Sequence, residues 1–238
     1  MTSNEPPPVT AGFQLIARTP DFVVIHKAPG IGFHREGNDP GLFDSVKHAL
    51  ELDPLFPVHR LDKVTSGLML LARTPQAAQT FGKLFQQHKV DKYYLALARG
   101  KPAKKQGTIK GDMEKARRGA WKLTRSMNNP AVTHFRSYGT QSGVRVFLLK
   151  PASGKTHQIR VALKSLGTPI IGDRLYSEAS PSDRVYLHAF ALRFRFAGEL
   201  FQYLQPPEQG ELFQSPDIAA LIRDQLTPPW QVKFPGEK

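Results

Sequence analysis

The chain has 238 residues, 40% of them hydrophobic and 22% charged, enough to bury one large core or two small ones. Its 33 basic residues outnumber its 20 acidic ones by 13, and an excess of that size on a small protein points to a polyanionic partner, nucleic acid first. Cysteine is absent, which excludes disulfides, thiolate catalysis and cysteine-ligated metals, and no apolar stretch nears the ~20 residues that span a bilayer.

Met1 to Val9 has neither the basic start nor the apolar stretch of a signal peptide, and Glu5-Pro6-Pro7-Pro8 predicts a disordered or polyproline leader over 1–12. With no cysteine and no targeting segment, a cytoplasmic location is expected. Phe13 to Ala17 and Phe22 to Lys27 read as short strands around a turn at Thr19-Pro20-Asp21, followed by a Gly- and Pro-rich loop to Gly41. Leu42, Val46, Ala49 and Leu50 mark one face of a helix. The strand Gly67 to Arg73 comes next. Thr74 then caps a helix that has Pro75 at its first position and runs to about Gln87, with Ala78, Phe81 and Phe85 inward. Lys92 to Arg99 is a further strand.

Residues 101–130 are basic and poorly periodic, carrying Lys101, Lys104, Lys105, Lys110, Lys115, Arg117, Arg118, Lys122 and Arg125. The stretch is expected to be an arm that grips phosphate, with a solvated loop or long hairpin as the alternative. Ala131 to Tyr138 and Val144 to Leu149 predict a hairpin. Thr156 to Leu166 has helical spacing with Gly167 just past its end, Tyr186 to Phe196 and Phe201 to Leu204 are strand-like, and Ser215-Pro216-Asp217 opens a last helix to about Leu226. Strands outnumber helices without alternating with them. The expected fold class is therefore α+β, a mixed and mainly antiparallel bent sheet flanked by helices, forming a single domain over 13–238.

Several familiar motifs fail. Ser153-Gly154-Lys155-Thr156 resembles the end of a phosphate-binding loop, but Leu149 stands where its first glycine is needed. Gly30 and Gly32 begin a dinucleotide fingerprint that Arg35 ends. The eight histidines show no metal-ligand spacing, and no Gly-x-Ser-x-Gly elbow exists. What remains is His59-Arg60-Leu61-Asp62-Lys63-Val64-Thr65-Ser66-Gly67, which sets one carboxylate between two cations ahead of the apolar run Leu68 to Ala72. A lone acid kept ionised in this way can serve as nucleophile or general base in a pocket. A basic hydrolase using Asp62 lacks the second acid or metal that such chemistry normally needs.

Three further segments accompany it: Lys27-Ala28-Pro29-Gly30-Ile31-Gly32-Phe33-His34, then Lys92-Tyr93-Tyr94-Leu95-Ala96, then Gly154-Lys155-Thr156-His157-Gln158-Ile159-Arg160-Val161 continuing through Gly167 to Asp173. Together the four resemble the RluA family of RNA pseudouridine synthases over roughly residues 20–205, with Leu187-His188-Ala189 similar to that family's late core strand. The resemblance implies a catalytic domain that detaches a uridine base of transfer or ribosomal RNA at its glycosidic bond, turns it and rejoins it through C5. It implies no cofactor, metal or nucleotide; from the sequence itself no membrane is expected, and a monomer is the simplest state.

By the same resemblance Asp62 is the catalytic acid, and Arg60 fills the stack vacated when the nucleotide is flipped out. Tyr94 reads as a core aromatic on strand position alone. The Lys-x-Tyr-x-Ala pattern reassigns it as the floor beneath the flipped uracil, leaving Tyr93 to the core. Arg160 is expected to pair with Asp62 and keep it ionised. Leu61 and Ile159 are candidate pocket walls. His59, Lys27, His34, Lys155, His157, Gln158, Arg117 and Arg118 are candidate RNA contacts, with His157 and Gln158 open to binding backbone or capping the helix instead. The chain departs from the family pattern at Pro29, displaced by one place, at Lys155 in place of arginine, and at Ala162 in place of histidine. With catalytic-type sequence beginning near residue 13, target recognition is expected from the one domain and its arm. The alternative reading is an inactive relative that clamps or remodels structured RNA.

Overall fold

The computed structural model describes residues 12–35, 37, 40–177 and 181–237, so the proline-rich stretch up to residue 11 lies outside the described residues. The chain divides into two compact units, Met1–Lys89 and Val90–Lys238.

The first unit is built on β1 (Phe13–Arg18), β2 (Phe22–Lys27), α1 (Leu42–Ala49), β3 (Phe56–Pro57), β4 (Ser66–Ala72) and α2 (Pro75–Gln86). Strand β2 lies between β1 and β4, antiparallel to both, with Phe13 opposite Lys27 and Phe22 opposite Ala72. Every residue of β2 and β4 is buried, which is why Phe22–Ile25 and Leu68–Ala72 read as unbroken apolar runs and not as alternating ones. Helix α2 starts where the capping signal lies: the Ala77 N–H donates to Thr74 Oγ1 at 3.1 Å, and Pro75 fills the first turn, where its missing N–H costs nothing. Phe81 anchors the helix edge-on against Phe22, 5.5 Å between ring centres. The alanine turned inward is Ala77, and Ala78 is only half-buried, a one-residue rotation from the expected face.

The second unit comprises β5 (Val90–Arg99), β6 (Gln106–Gly111), β7 (Met113–Lys115), β8 (Trp121–Leu123), β9 (Ala131–Gly139), β10 (Val144–Pro151), α3 (Gln158–Ser165), β11 (Leu187–Phe196), β12 (Glu199–Leu204) and α4 (Pro216–Gln225). Its sheet runs β12–β11–β5–β10–β9–β6, antiparallel throughout. Phe135, Phe147, Phe190 and Phe213 fill the core with Leu95, Leu97 and Leu163. Ile218 and Ile222 of α4 and Phe234 near the C-terminus pack against the same cluster.

The basic stretch 101–130 turns out to hold two different structures. Its first part is β6, which extends the main sheet by pairing with β9. Its second is a separate hairpin, β7 with β8, tipped by a short 3-10 turn over Arg117–Gly119 in which Arg118 adopts a left-handed backbone, φ 57°. The fold is thus α+β with antiparallel pairing inside each unit, as the element pattern predicts. Among the described residues no helix is long and apolar enough to cross a membrane.

Candidate active site

Asp62 sits in the loop between β3 and β4 of the first unit. Leu61 beside it is buried, Asp62 is half-buried, and Arg60 and Lys63 are exposed. The loop turns on a bond from the Thr65 N–H to the Asp62 carbonyl at 3.0 Å. His59 is tied into the fold: its Nε2 accepts the Leu70 N–H at 2.9 Å, and its ring stacks on Phe85 at 4.9 Å. Such an acceptor nitrogen is unprotonated, so the ring proton resides on Nδ1.

Lys27 is completely buried. A buried ammonium is tolerated only where its donors are met, and here it donates to the carbonyls of Ala28 at 2.8 Å, Ile31 at 2.9 Å and Lys63 at 3.1 Å. The Gly30 N–H adds a bond to the same Lys63 carbonyl at 2.8 Å. The expected RNA contact at Lys27 is therefore replaced by an internal one. The cation clamps the glycine loop to the residue that follows Asp62. His34, at the end of that segment, is exposed, with Phe33 against its ring at 4.8 Å.

In the second unit, Tyr93 and Tyr94 point to opposite sides of β5. Tyr93 is 3% exposed, in the core beside Phe234, whereas Tyr94 is half-buried, the division the strand alternation predicts. Lys92, on the Tyr94 side, donates to the Ser153 carbonyl at 3.2 Å, and burial lowers its ammonium to about 8.

The loop after β10 leads into α3. The spacing predicts helix from Thr156, but His157 has a left-handed backbone, φ 57°, and the helix begins at Gln158 with no side-chain cap on it. Gln158 closes this corner from inside. Its Oε1 accepts from Ser153 Oγ at 2.8 Å and the Lys155 N–H at 2.9 Å, and its Nε2 donates to the Val132 carbonyl at 2.9 Å and Thr133 Oγ1 at 3.0 Å. All four bonding positions of the amide are used within the protein. Lys155 is half-buried, Ile159 is buried, and Arg117 and Arg118 stand exposed on the hairpin tip.

Arg160 projects from the first turn of α3, 6% exposed. Its Nε donates to Asp173 Oδ2 at 2.7 Å and its Nη2 to Asp173 Oδ1 at 2.8 Å, a two-pronged pair with a carboxylate only 1% exposed. Tyr176 lies against the same guanidinium, 5.0 Å from its carbon to the ring centre. Sequence reasoning assigned no role to Asp173 or Tyr176. The only available signal was that both stand in or just beyond the fourth motif segment.

The family model for RNA pseudouridylate synthase matches residues 21–165. An RNA pseudouridine synthase of Haemophilus influenzae, itself uncharacterized, is 45% identical over 221 residues, covering 92% of this chain and 99% of that one. The dual-specificity RNA pseudouridine synthase RluA of Pasteurella multocida is 31% identical, covering 84% of this chain and 96% of the relative. Among solved structures, human RNA pseudouridylate synthase domain containing 1 superimposes with a TM-score of 0.71 at 28% identity, over 84% of this chain and 86% of that one. These matches define a class of enzyme, the isomerases that act on uridine in RNA. Within it, the chain belongs to the RNA pseudouridine synthase family, the family its four motif segments resemble.

Proposed function

We propose that Asp62 of the first unit and Tyr94 and Arg160 of the second act together, as one catalytic domain, on specific uridines of transfer or ribosomal RNA. The observation that carries this reading is the family match over residues 21–165, an interval that contains all three side chains. The names of two relatives, a tRNA pseudouridine synthase C from Haemophilus ducreyi and a ribosomal large subunit pseudouridine synthase D from Nitrosomonas europaea, support both substrate classes.

The chemistry balances without a co-reactant. The N1–C1′ bond breaks, the base turns, C5 bonds to C1′, the C5 proton leaves and N1 takes one up. Asp62, negatively charged, acts at the ribose–base junction. Asp173 occupies the Nε–Nη2 edge of the Arg160 guanidinium, and a guanidinium has five N–H donors in a planar fork. The other edge is the one proposed to pair with Asp62. Tyr94 forms the floor under the uracil. Arg60, exposed beside Asp62, enters the stack left by the flipped nucleotide, while His34, Lys155, His157, Arg117 and Arg118 meet RNA around it. The enzyme works as a monomer in the cytoplasm, where its substrates are.

Substituting Asp62→Asn is expected to abolish isomerisation and leave RNA affinity within about twofold, because phosphate contacts dominate binding. Tritium release from C5-labelled uridine, with a filter-binding titration in parallel, measures both. Full turnover by the variant refutes the assignment.

A further inference from the structure

Tyr176 lies outside every motif segment, yet its side chain touches three functional parts of the second unit. Its hydroxyl oxygen accepts the Trp121 backbone N–H, on strand β8 of the basic hairpin, at 2.9 Å. The same oxygen lies 2.8 Å from Nδ1 of His157, at the start of α3. Its ring packs on the Arg160 guanidinium at 5.0 Å and edge-on to the His157 ring at 5.7 Å. The residue is held rigidly from behind: its N–H donates to the Asp173 carbonyl at 3.0 Å, and the Tyr176 carbonyl accepts from Lys164 Nζ at 2.8 Å. At 3% exposure, it is buried.

We propose that Tyr176 is a positioning residue that couples engagement of RNA by the β7–β8 hairpin to the placement of Arg160. A phenol oxygen has one proton and two lone pairs, and here that oxygen is shared between the hairpin and the residue that immediately precedes the arginine-bearing helix. Exposed Arg117 and Arg118 at the hairpin tip meet phosphate first. Any displacement of β8 that follows acts on the Trp121 N–H, and through it on a ring already seated on the guanidinium. His157 supplies a second stable arrangement. Its left-handed backbone is disfavoured for a residue with a Cβ, so a relaxed conformation is available if its bond to Tyr176 is lost. Asp173, the ion-pair partner of Arg160, lies in the same turn as Tyr176, so ring and carboxylate move as one piece.

The catalytic consequence rests on the proposed role of Arg160; the mechanical link does not. Four forms of the full chain separate the two: wild type, Tyr176→Phe, Arg117→Ser with Arg118→Ser, and all three changes combined. The substrate is transfer and ribosomal RNA with C5-tritiated uridine, prepared from cells lacking this gene. Phenylalanine retains the ring on Arg160 and removes only the shared hydroxyl. Tyr176→Phe is expected to lower kcat at least about tenfold with KM within about twofold, a split that simple loosening of the fold would not produce. The hairpin variant is expected to lose both affinity and kcat. The combined variant is expected to bind as weakly as the hairpin variant and turn over no more slowly than Tyr176→Phe, because the path is already cut. Losses in kcat that multiply, or a Tyr176→Phe kcat within twofold of wild type, overturn the coupling.

A readout independent of turnover is the Arg160 Nε–H resonance in protein labelled with 15N-arginine, with the same RNA added to saturation. RNA is expected to shift it in wild type and to leave it unmoved in Tyr176→Phe. The hairpin variant, whose altered side chains are exposed, decides the matter alone if Tyr176→Phe does not fold, since its signal is then expected to stay at the RNA-free position. A shift in every form, or in none, overturns the proposal. If wild type releases no tritium, it is the isomerase reading that fails, and the resonance still decides the coupling.

Discussion

Replacing Asp173 with asparagine removes one charge and almost no volume, which makes it the cleanest probe of the Arg160 site. The pair is nearly inaccessible, 6% exposed on the arginine and 1% on the aspartate, and is made by bonds of 2.7 and 2.8 Å. Breaking a buried pair from one side costs about 3–5 kcal/mol, because the remaining charge is left in low dielectric. Asparagine still presents one carbonyl oxygen and can retain one of the two bonds, so the expected loss is about 3 kcal/mol. A total stability of about 5–15 kcal/mol leaves the chain folded, and at about 2–4 °C per kcal/mol for this size the melting temperature drops by about 6–12 °C. Urea unfolding followed by circular dichroism should show the midpoint lowered with an unchanged slope, the mark of a stability change without a change in compactness. Turnover should fall at least about tenfold, since the guanidinium loses the partner that orients it. A loss below about 1 kcal/mol would refute the reasoning, because Asp173 would then not be the anchor of Arg160.

Lys150 pairs with Asp91 at 2.9 Å and with Glu237, and lies over the Tyr93 ring at 5.3 Å. Burial alone would lower its ammonium, but hydrogen bonds to Glu237 and Asp91 outweigh it and hold the group well above the usual lysine value of 10.5. A raised value stabilises fully below the ordinary one and is lost as pH climbs through the folded one. The stability gap between wild type and Lys150→Met should therefore be constant from about pH 7 to 10 and close only above that, and closure by pH 9 in urea titrations would contradict it. Arg117→Ser with Arg118→Ser should flatten the log–log salt dependence of RNA binding by about 0.7–0.9 for each phosphate no longer neutralised, and an unchanged slope would remove the hairpin from the interface. Gly111 ends β6 where an added Cβ would fall 2.2 Å from the Thr124 carbonyl. Gly111→Ala should prise the hairpin base open and speed amide exchange at Thr124 and Trp121 by about tenfold or more, while exchange in β5 stays unchanged.

Where local rules operate, the sequence was a good guide. Thr74-Pro75 marked the start of α2, the apolar run Leu68 to Ala72 marked a fully buried strand, and alternation put Tyr93 and Tyr94 on opposite faces, with the Lys-x-Tyr-x-Ala pattern naming Tyr93 as the core one. Strand β6 escaped notice because Gly107, Lys110 and Gly111 blur its period and its pairing partners on β9, Ala131 to Arg136, lie far along the chain. The helix α3 begins two residues later than its spacing suggests, since the left-handed turn at His157 is imposed by surroundings that no local pattern encodes.

The amino-acid order alone determined the fold class, the family and the three side chains proposed for the chemistry, because each depends on residue type within a short window. Only the tertiary structure decided what holds two of them in place. Lys27 fastens the Asp62 loop across 36 positions of chain, and Asp173 and Tyr176 grip Arg160 from beyond the end of its own helix. The reason is physical. A buried charge is settled by whichever partner the completed fold brings within about 3 Å, and no spacing rule ties those partners together along the chain.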